Sequence, residues 1–559
     1  MEEQNNKLKF IALSGTVSVT ENLYIYEHGD EMVILDCGVG FPDIEMYGVD
    51  LVIPDFTYIL KNQHKLKGIV ISQGHEDHIG AVPFLLNELK NPGKIEIWVA
   101  PLVNEFLQDK FEEFEIKGVK VNIFNPDTDI FSVGKFTFNP FRVTHSVPDS
   151  CGFAIDTPQG RVFHVPEHKM DQNPVDNMPF DRSKAERLAS EKEVLFLASD
   201  CIGANKDGFT ENERPIEQNI EKVARNAKKA IYFTAISSNI GRFQQAINVA
   251  ERLGKKVCFV GRSVQRKCEL ANKLGYLKYK RDTVVNLREA QKKNLQDIMY
   301  LIAGCYGQVG SSLFRIATGD HNRLTIDEGD MVIFSADPAP PYTKESEDFV
   351  IDNLIDMGVD VHYYDLDEGL YVSGHGKKGD ITELFKITKP KYFLPIGGTV
   401  RFMHAYKKLV SECCGNEDQV FMLKPGDVLE FFDGKVNRGK SIPVKEVLVD
   451  GHGIGDVGKI VLSDRKTLSE HGVVIVIVKI DVKSGKIRKD PEIVSRGFVF
   501  EREEKQFLMT SAKSLKNYLN KKGKVDRRSA KFLTVDFLNE HFFKETARRP
   551  MVIPVIFQE

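Results

Sequence analysis

The stretch Ser72-Gln73-Gly74-His75-Glu76-Asp77-His78-Ile79-Gly80 packs two imidazoles and two carboxylates into four consecutive positions. Before it, Ile69, Val70 and Ile71 read as a buried strand. After it, Ile79, Val82, Leu85, Leu86 and Leu89 recur at helical spacing, with Pro83 tolerable in a first turn. The cluster therefore sits at a strand-to-helix switch, where loop backbone can splay side chains towards one point. Imidazole nitrogen and carboxylate oxygen are the donors that zinc-like divalent ions take at catalytic sites.

At 559 residues the chain is too long for one core, and three or so domains are expected. Its net charge of −4 gives no global electrostatic case for nucleic acid, so any basic surface must be local. One such surface is the string Lys521, Lys522, Lys524, Arg527, Arg528 and Lys531, read either as a phosphate-contacting face or as a solvated helix. The longest strongly apolar run, 473–478, is too short to cross a bilayer and reads as a buried strand. The first residues lack the basic start and apolar stretch of a signal peptide. The eight cysteines are scattered without Cys-x-x-Cys spacing, as reduced thiols are. A cytoplasmic protein with no membrane association is expected.

From Pro215 the pattern alternates. Ile216, Ile220, Val223 and Ala224 suggest a helix, residues 230–233 a strand, Ile240, Phe243, Ile247 and Ala250 a helix, and residues 256–260 a strand. Alternating elements of this kind predict an inserted domain with a parallel sheet. Pro338-Ala339-Pro340-Pro341 reads as its exit linker. The glycine-rich stretch 449–458 lacks the strand–helix setting of a nucleotide fingerprint.

The loop at 73–78 resembles the His-x-His-x-Asp-His signature of the metallo-β-lactamase superfamily, with Gln73 in the first His position. Further phrases extend the likeness from end to end to the ribonuclease J family. They are His145-Ser146-Val147-Pro148-Asp149-Ser150, Ser199-Asp200-Cys201, Tyr371-Val372-Ser373-Gly374-His375 and Arg548-Arg549-Pro550-Met551. The resemblance implies an α/β protein: a metallo-β-lactamase αββα sandwich with an inserted β-CASP α/β domain and a C-terminal α/β domain. The corresponding boundaries are 1–213 and 351–440 for the sandwich, 214–350 for the insert and 446–559 for the C-terminal domain.

It also implies an RNA-cleaving site built on two zinc or manganese ions. Carried over position by position, His75, Asp77, His78, His145 and Glu167 are the metal ligands. Asp200 and His375 take catalytic roles, and Tyr371, Val372, Ser373, Gly374 and His375 form the loop that holds substrate phosphate. Asp36 is expected to support the site rather than bind metal.

Three departures stand out. Gln73 replaces an imidazole, Glu167 replaces the aspartate that bridges the ions, and Gly397 stands where the family has another His ligand. Each metal position thus loses one ligand, and weak binding of Zn2+ or Mn2+, or fewer than two ions, is expected. His168 is either a replacement ligand or a loop residue. Gly241 and the 305–311 segment also depart from the family's inserted domain. The pattern resembles the less active second paralogue found beside an active one in some bacteria.

Three functions follow from these features. The first is an RNA-binding subunit with weak or no activity that supports an active paralogue, as a homo- or hetero-oligomer. The second is a working nuclease with a rearranged or single-metal site. The third is a small-ester hydrolase, which the insert and phosphate loop disfavour.

Overall fold

The computed structural model describes residues 6–43, 45–336, 343–367, 369–415, 417–451, 453–455, 457–498 and 504–559. The expected linker at 338–341 lies outside these, as do His452 and Asp456 of the glycine-rich stretch. The chain divides into two compact units: residues up to Phe41 with Val52–Val447, and Pro42–Leu51 with Leu448–Glu559.

The first unit is built on two sheets. Hairpin-forming runs of β-branched and aromatic residues pair Leu8–Ala12 with Tyr24–His28, and that strand with Glu31–Leu35. Parallel strands Leu66–Val70, Glu96–Val99 and Lys120–Ile123 continue the sheet on one side. Asp427–Phe432 and Lys435–Arg438 complete eight strands on the other. The second sheet has six strands, in the order Tyr392–Ile396, Val194–Asp200, Gly160–Val165, Cys151–Thr157, Phe136–Arg142 and Phe131–Val133.

Aromatic rings fill the space between the sheets. Tyr26 stacks on Phe196 at 6.3 Å, Phe196 on Phe431 at 4.7 Å and Trp98 on Phe131 at 4.3 Å. His164 lies within this core with Nδ1 2.9 Å from the Tyr26 hydroxyl. Burial and the nearby His78 charge hold it down to about 3, so it stays neutral and structural. Helices Arg182–Glu191, Lys378–Thr388 and Val400–Cys414 cover the outer face of the six-stranded sheet through Leu188, Leu384, Phe385 and Tyr406. This is the αββα sandwich expected from the sequence.

Strands Val194–Asp200 and Tyr392–Ile396 are parallel neighbours, with Phe196 opposite Tyr392 and Asp200 opposite Ile396. Between them in sequence, the elements from Pro215 to His362 form an insert, and the chain then returns to the sandwich in helix Lys378–Thr388. The insert carries a wholly parallel sheet in the order Lys256–Val260, Ile298–Ile302, Ile231–Thr234, Met331–Phe334 and Asp360–His362. Parallel pairing needs long crossovers, which the helices Ile240–Arg252, Arg262–Lys273, Ser312–Ala317 and Thr343–Asp356 supply. The segments leaving the C-terminal ends of four strands, at 235–239, 261–263, 303–306 and 335, turn towards one cleft. Open α/β sheets bind ligands at that end.

In the second unit, Val473–Ile480 pairs antiparallel with Glu492–Arg496 and parallel with Met551–Gln558. Helices Glu504–Lys521 and Arg527–Thr546 pack on one face through Leu515, Leu519, Leu538 and Phe542. The run 473–478 is not buried throughout, as its composition suggested. Val474, Val476 and Val478 point into the core under the two long helices, while Ile475, on the other face, is 39% exposed among the described residues. Among the described residues no helix is long and apolar enough to cross a membrane.

Candidate metal centre and cleft

The loop that leaves Leu66–Val70 folds back over the end of the first sheet, and Asp36 anchors it. Asp36 holds a positive φ of 62° and accepts hydrogen bonds from the Ser72 backbone N–H at 2.8 Å and the Ser72 hydroxyl at 2.7 Å. Its Oδ2 also lies 2.8 Å from His78 Nδ1. Asp36 therefore orients His78 rather than facing the cleft itself.

With Nδ1 engaged, His78 aims Nε2 at Asp77 Oδ2, 3.6 Å away, and at Glu167 Oε1, 3.5 Å away. Asn22 Nδ2 lies 3.1 Å from the same nitrogen and 3.2 Å from Asp77 Oδ2. Asp77, His78 and Glu167 thus bring one ligand atom each within 4.8 Å of one another. Burial, with the Glu167 charge beside it, pushes Asp77 up to about 7 against the pull of His78. His78 lies well above the usual imidazole range: burial opposes its charge, but Asp36, Asp77 and Glu167 outweigh it. Crowded anionic oxygens around one nitrogen are the donor set a divalent cation would relieve, and three protein ligands with an open position suit a catalytic ion.

The other side of Glu167 is different. Its Oε2 faces His145 Nε2 at 2.8 Å and also accepts a hydrogen bond from the Gln73 side-chain amide. His145 Nδ1 donates to the Gly374 carbonyl at 2.8 Å, which fixes the ring with Nε2 towards Glu167. His75 turns to the Ser146 hydroxyl, 2.9 Å from its Nε2, with its ring 5.0 Å from that of His145. Where an ion would need Gln73, His75 and His145 to converge, direct hydrogen bonds stand instead. Among the described residues one group fits an ion, at Asp77, His78 and Glu167, and no second group of three ligand atoms converges.

Gly397 leaves the fitted position one ligand short. It has a φ of 65°, and a Cβ added there would meet only the Pro166 carbonyl, at 3.8 Å. His168 does not join the cluster. It is fully buried, with Phe180 as a ring neighbour at 6.3 Å and neither ring nitrogen partnered among the described residues. Glu76, the loop's other carboxylate, turns outward to Lys110 at 2.5 Å and Lys267 at 3.2 Å. Those cations overcome its burial and hold it down to about 2.

Asp200, at the end of its strand, accepts the Ile202 backbone N–H at 2.8 Å and lies 2.7 Å from His375 Nδ1. Burial opposes a charged His375, yet the Asp200 carboxylate raises it to about 9. The His375 ring is 5.2 Å from that of His145. Together with Tyr371, Val372 and Gly374 it borders a cleft of about 480 Å³. His75, Asp77, His145 and Glu167 line one wall, and Asn239, Lys267, Tyr306 and Arg315 of the insert line the other. Ser373 contributes its hydroxyl to the His375 backbone N–H at 3.1 Å. Sequence reasoning missed Asn22 and Ser72, which carry no motif, and Ser146, whose adjacency to His145 was a usable signal.

Three family models match the chain. "Beta-lactamase superfamily domain" matches residues 32–178, "Ribonuclease J, beta-CASP domain" residues 228–354, and "Ribonuclease J C-terminal domain" residues 460–559. The chain is 33% identical to "Ribonuclease J 1" of Streptococcus pyogenes serotype M3, over 99% of this chain and 98% of that one. It is 30% identical to "Ribonuclease J2" of Bacillus subtilis over the full length of both. Identity with "Ribonuclease J 2" of Staphylococcus aureus strain MRSA252 is 31%, over 100% of this chain and 99% of that one. A crystal structure of a protein of unknown function from Enterococcus faecalis V583 shares the fold. Its TM-score is 0.52 at 13% identity, covering 76% of this chain and all of that one.

Proposed function

This chain belongs to the ribonuclease J family, and from that membership we propose that it binds single-stranded RNA in the cleft but cleaves it weakly or not at all. The observation that carries the reading is the double claim on Glu167 Oε2 by Gln73 and His145, which leaves only Asp77, His78 and Glu167 converging. A bound Zn2+ or Mn2+ there would polarise a phosphodiester oxygen or lower the pKa of a water. Two-metal nucleases clamp attacking and leaving oxygens together, and this cleft fits half of that clamp. In the proposed roles, the Tyr371–His375 loop receives substrate phosphate. His375, kept charged by Asp200, supplies a cation to it.

The test is cleavage of 5′-monophosphorylated RNA with Mn2+, set beside an active family member, together with RNA binding measured by anisotropy. Binding with turnover reduced by orders of magnitude is expected. Turnover equal to the active relative's, with two ions held per chain, would overturn the reading.

The same reading assigns the C-terminal unit to association with a second copy or with an active paralogue. Its support is the uncovered sheet face. Ile475, opposite Val494 on one side and Ile553 on the other, forms an apolar row in which the three are 39%, 41% and 42% exposed. Phe557, 50% exposed, lies further along the last strand. Neighbouring apolar residues left open together mark interaction sites more often than bare solvent surface. The exposed string Lys521, Lys522, Lys524, Arg527, Arg528 and Lys531, at the turn between the two long helices, is proposed as a further RNA-phosphate contact.

A further inference from the structure

Four backbone carbonyls of the loop at 370–375 are held by side chains. Leu370 O accepts from the Ser335 hydroxyl and from Arg242 Nη1 at 3.3 Å, and Ser373 O accepts from Lys169 Nζ at 3.1 Å. Gly374 O accepts from His145 at 2.8 Å and His375 O from the Thr210 hydroxyl at 2.8 Å. Among the described residues the backbone amides of Val372, Ser373 and Gly374 have no partner. The Gly374 N–H shares its peptide unit with the held Ser373 carbonyl, so fixing that carbonyl fixes an open amide for an anion.

Two of the groups that tie the carbonyls back are cations with no exposure at all. Lys169 and Arg242 are fully buried, and both reach Glu213, which is 7% exposed. Lys169 Nζ is bonded to Glu213 Oε1, and Arg242 Nη2 lies 3.4 Å from Glu213 Oε2. Arg242 also donates to the Ser335 carbonyl at 3.1 Å and hydroxyl at 2.7 Å, and its Nε to Gln245 at 3.0 Å. Gln245 in turn donates to the Glu213 carbonyl at 2.7 Å. Lys169 belongs to the sandwich, Arg242 and Gln245 to the first helix after the insert's opening strand, and Glu213 to the segment entering the insert. Such a cluster is costly to bury, and ion pairs like it are replaceable by apolar packing without loss of stability.

We propose that Lys169, Glu213 and Arg242 are positioning residues for the phosphate loop. Lys169 and Arg242 hold the Ser373 and Leu370 carbonyls, and Glu213 compensates their charge. They touch no substrate. They act by presenting the loop's amides and His375 to a phosphate, and that last clause rests on the RNA-binding function proposed above.

The discriminating variant is Lys169→Met, which removes the donor to Ser373 O and leaves Glu213 paired with Arg242. Adding Glu213→Gln leaves the buried Arg242 without its carboxylate and reports the folding cost of breaking the cluster. Two readouts apply to the full chain. One is hydrogen exchange at the His375 and Gly376 amides of the ligand-free protein, and the other is affinity for a short 5′-monophosphorylated RNA. Lys169→Met is expected to keep a melting temperature close to that of the unaltered protein, exchange the two amides at least tenfold faster, and bind RNA at least tenfold more weakly. Unchanged exchange and unchanged affinity in a well-folded Lys169→Met variant would assign the cluster to stability alone and overturn the proposal. Faster exchange in a chain that never bound RNA would uphold the positioning role and remove the function proposed above.

Discussion

Replacing Gly397 with His should move two measurable quantities in opposite directions. The backbone there has a φ of 65°, a region that L-residues enter at a cost of about 1–2 kcal/mol, although His tolerates it better than most. No atom but the Pro166 carbonyl would stand within 4 Å of the new Cβ, so the cost is conformational rather than steric. The metal-free Gly397→His protein should therefore lose about 1 kcal/mol of stability. The new imidazole would complete the ligand set at Asp77, His78 and Glu167. Losing even an outer partner of a metal ligand costs roughly 10–100-fold in affinity, so gaining a direct ligand should tighten binding by at least about tenfold, or ~1.4 kcal/mol.

The assay is thermal unfolding at a series of Mn2+ or Zn2+ concentrations, because a ligand that binds only the folded state stabilises it by RT ln(1 + [L]/Kd). At saturating metal the variant's deficit should vanish. A variant that loses stability without metal, yet gains no larger shift on adding metal than the unaltered protein, would refute the assignment of the ion to this triad.

Metal analysis after dialysis should find no more than one equivalent of Zn2+ or Mn2+ per chain. His78→Gln should abolish it and His75→Ala should leave it unchanged; two equivalents would contradict the hydrogen-bonded state of Glu167. Because Asp77 is raised to about 7 without metal, its proton competes with the ion. Metal affinity measured calorimetrically should therefore rise with pH through 7 and go on rising above it, because His78, also raised, must give up its proton too. His375 is raised from 6.5 to about 9, so its pairing with Asp200 stabilises the fold fully below pH 6.5 and loses that contribution as pH rises through 9. RNA affinity should fall over the same upper range, and His375→Gln should flatten the profile. In sedimentation experiments, Ile475→Lys with Ile553→Lys should dissociate any oligomer without unfolding the chain, since both side chains already stand at the surface.

Much of the molecule was legible in the residue order, because the signals involved are local. The strand-to-helix switch around His75–His78, the alternating elements after Pro215 and the missing imidazoles at 73 and 397 each sit within a few residues of what they determine. The identity of the donors in the loop was therefore settled by sequence. Which way those donors face was not. Glu167 is met by Gln73 and His145 on one oxygen and by His78 on the other, and these residues come from separate loops. Only their convergence at one end of the sandwich shows that hydrogen bonds occupy the place of one ion. His168 read in sequence as either a replacement ligand or a loop residue; packing buries it beside Phe180, outside the Asp77–His78–Glu167 group. The run 473–478 looked uniformly buried, yet its two faces differ, since a strand's side chains alternate while composition counts both alike. Residue type sets what a group can bind. The tertiary structure sets which lone pairs and protons remain free to bind it, because a buried polar atom takes the nearest partner that the fold provides.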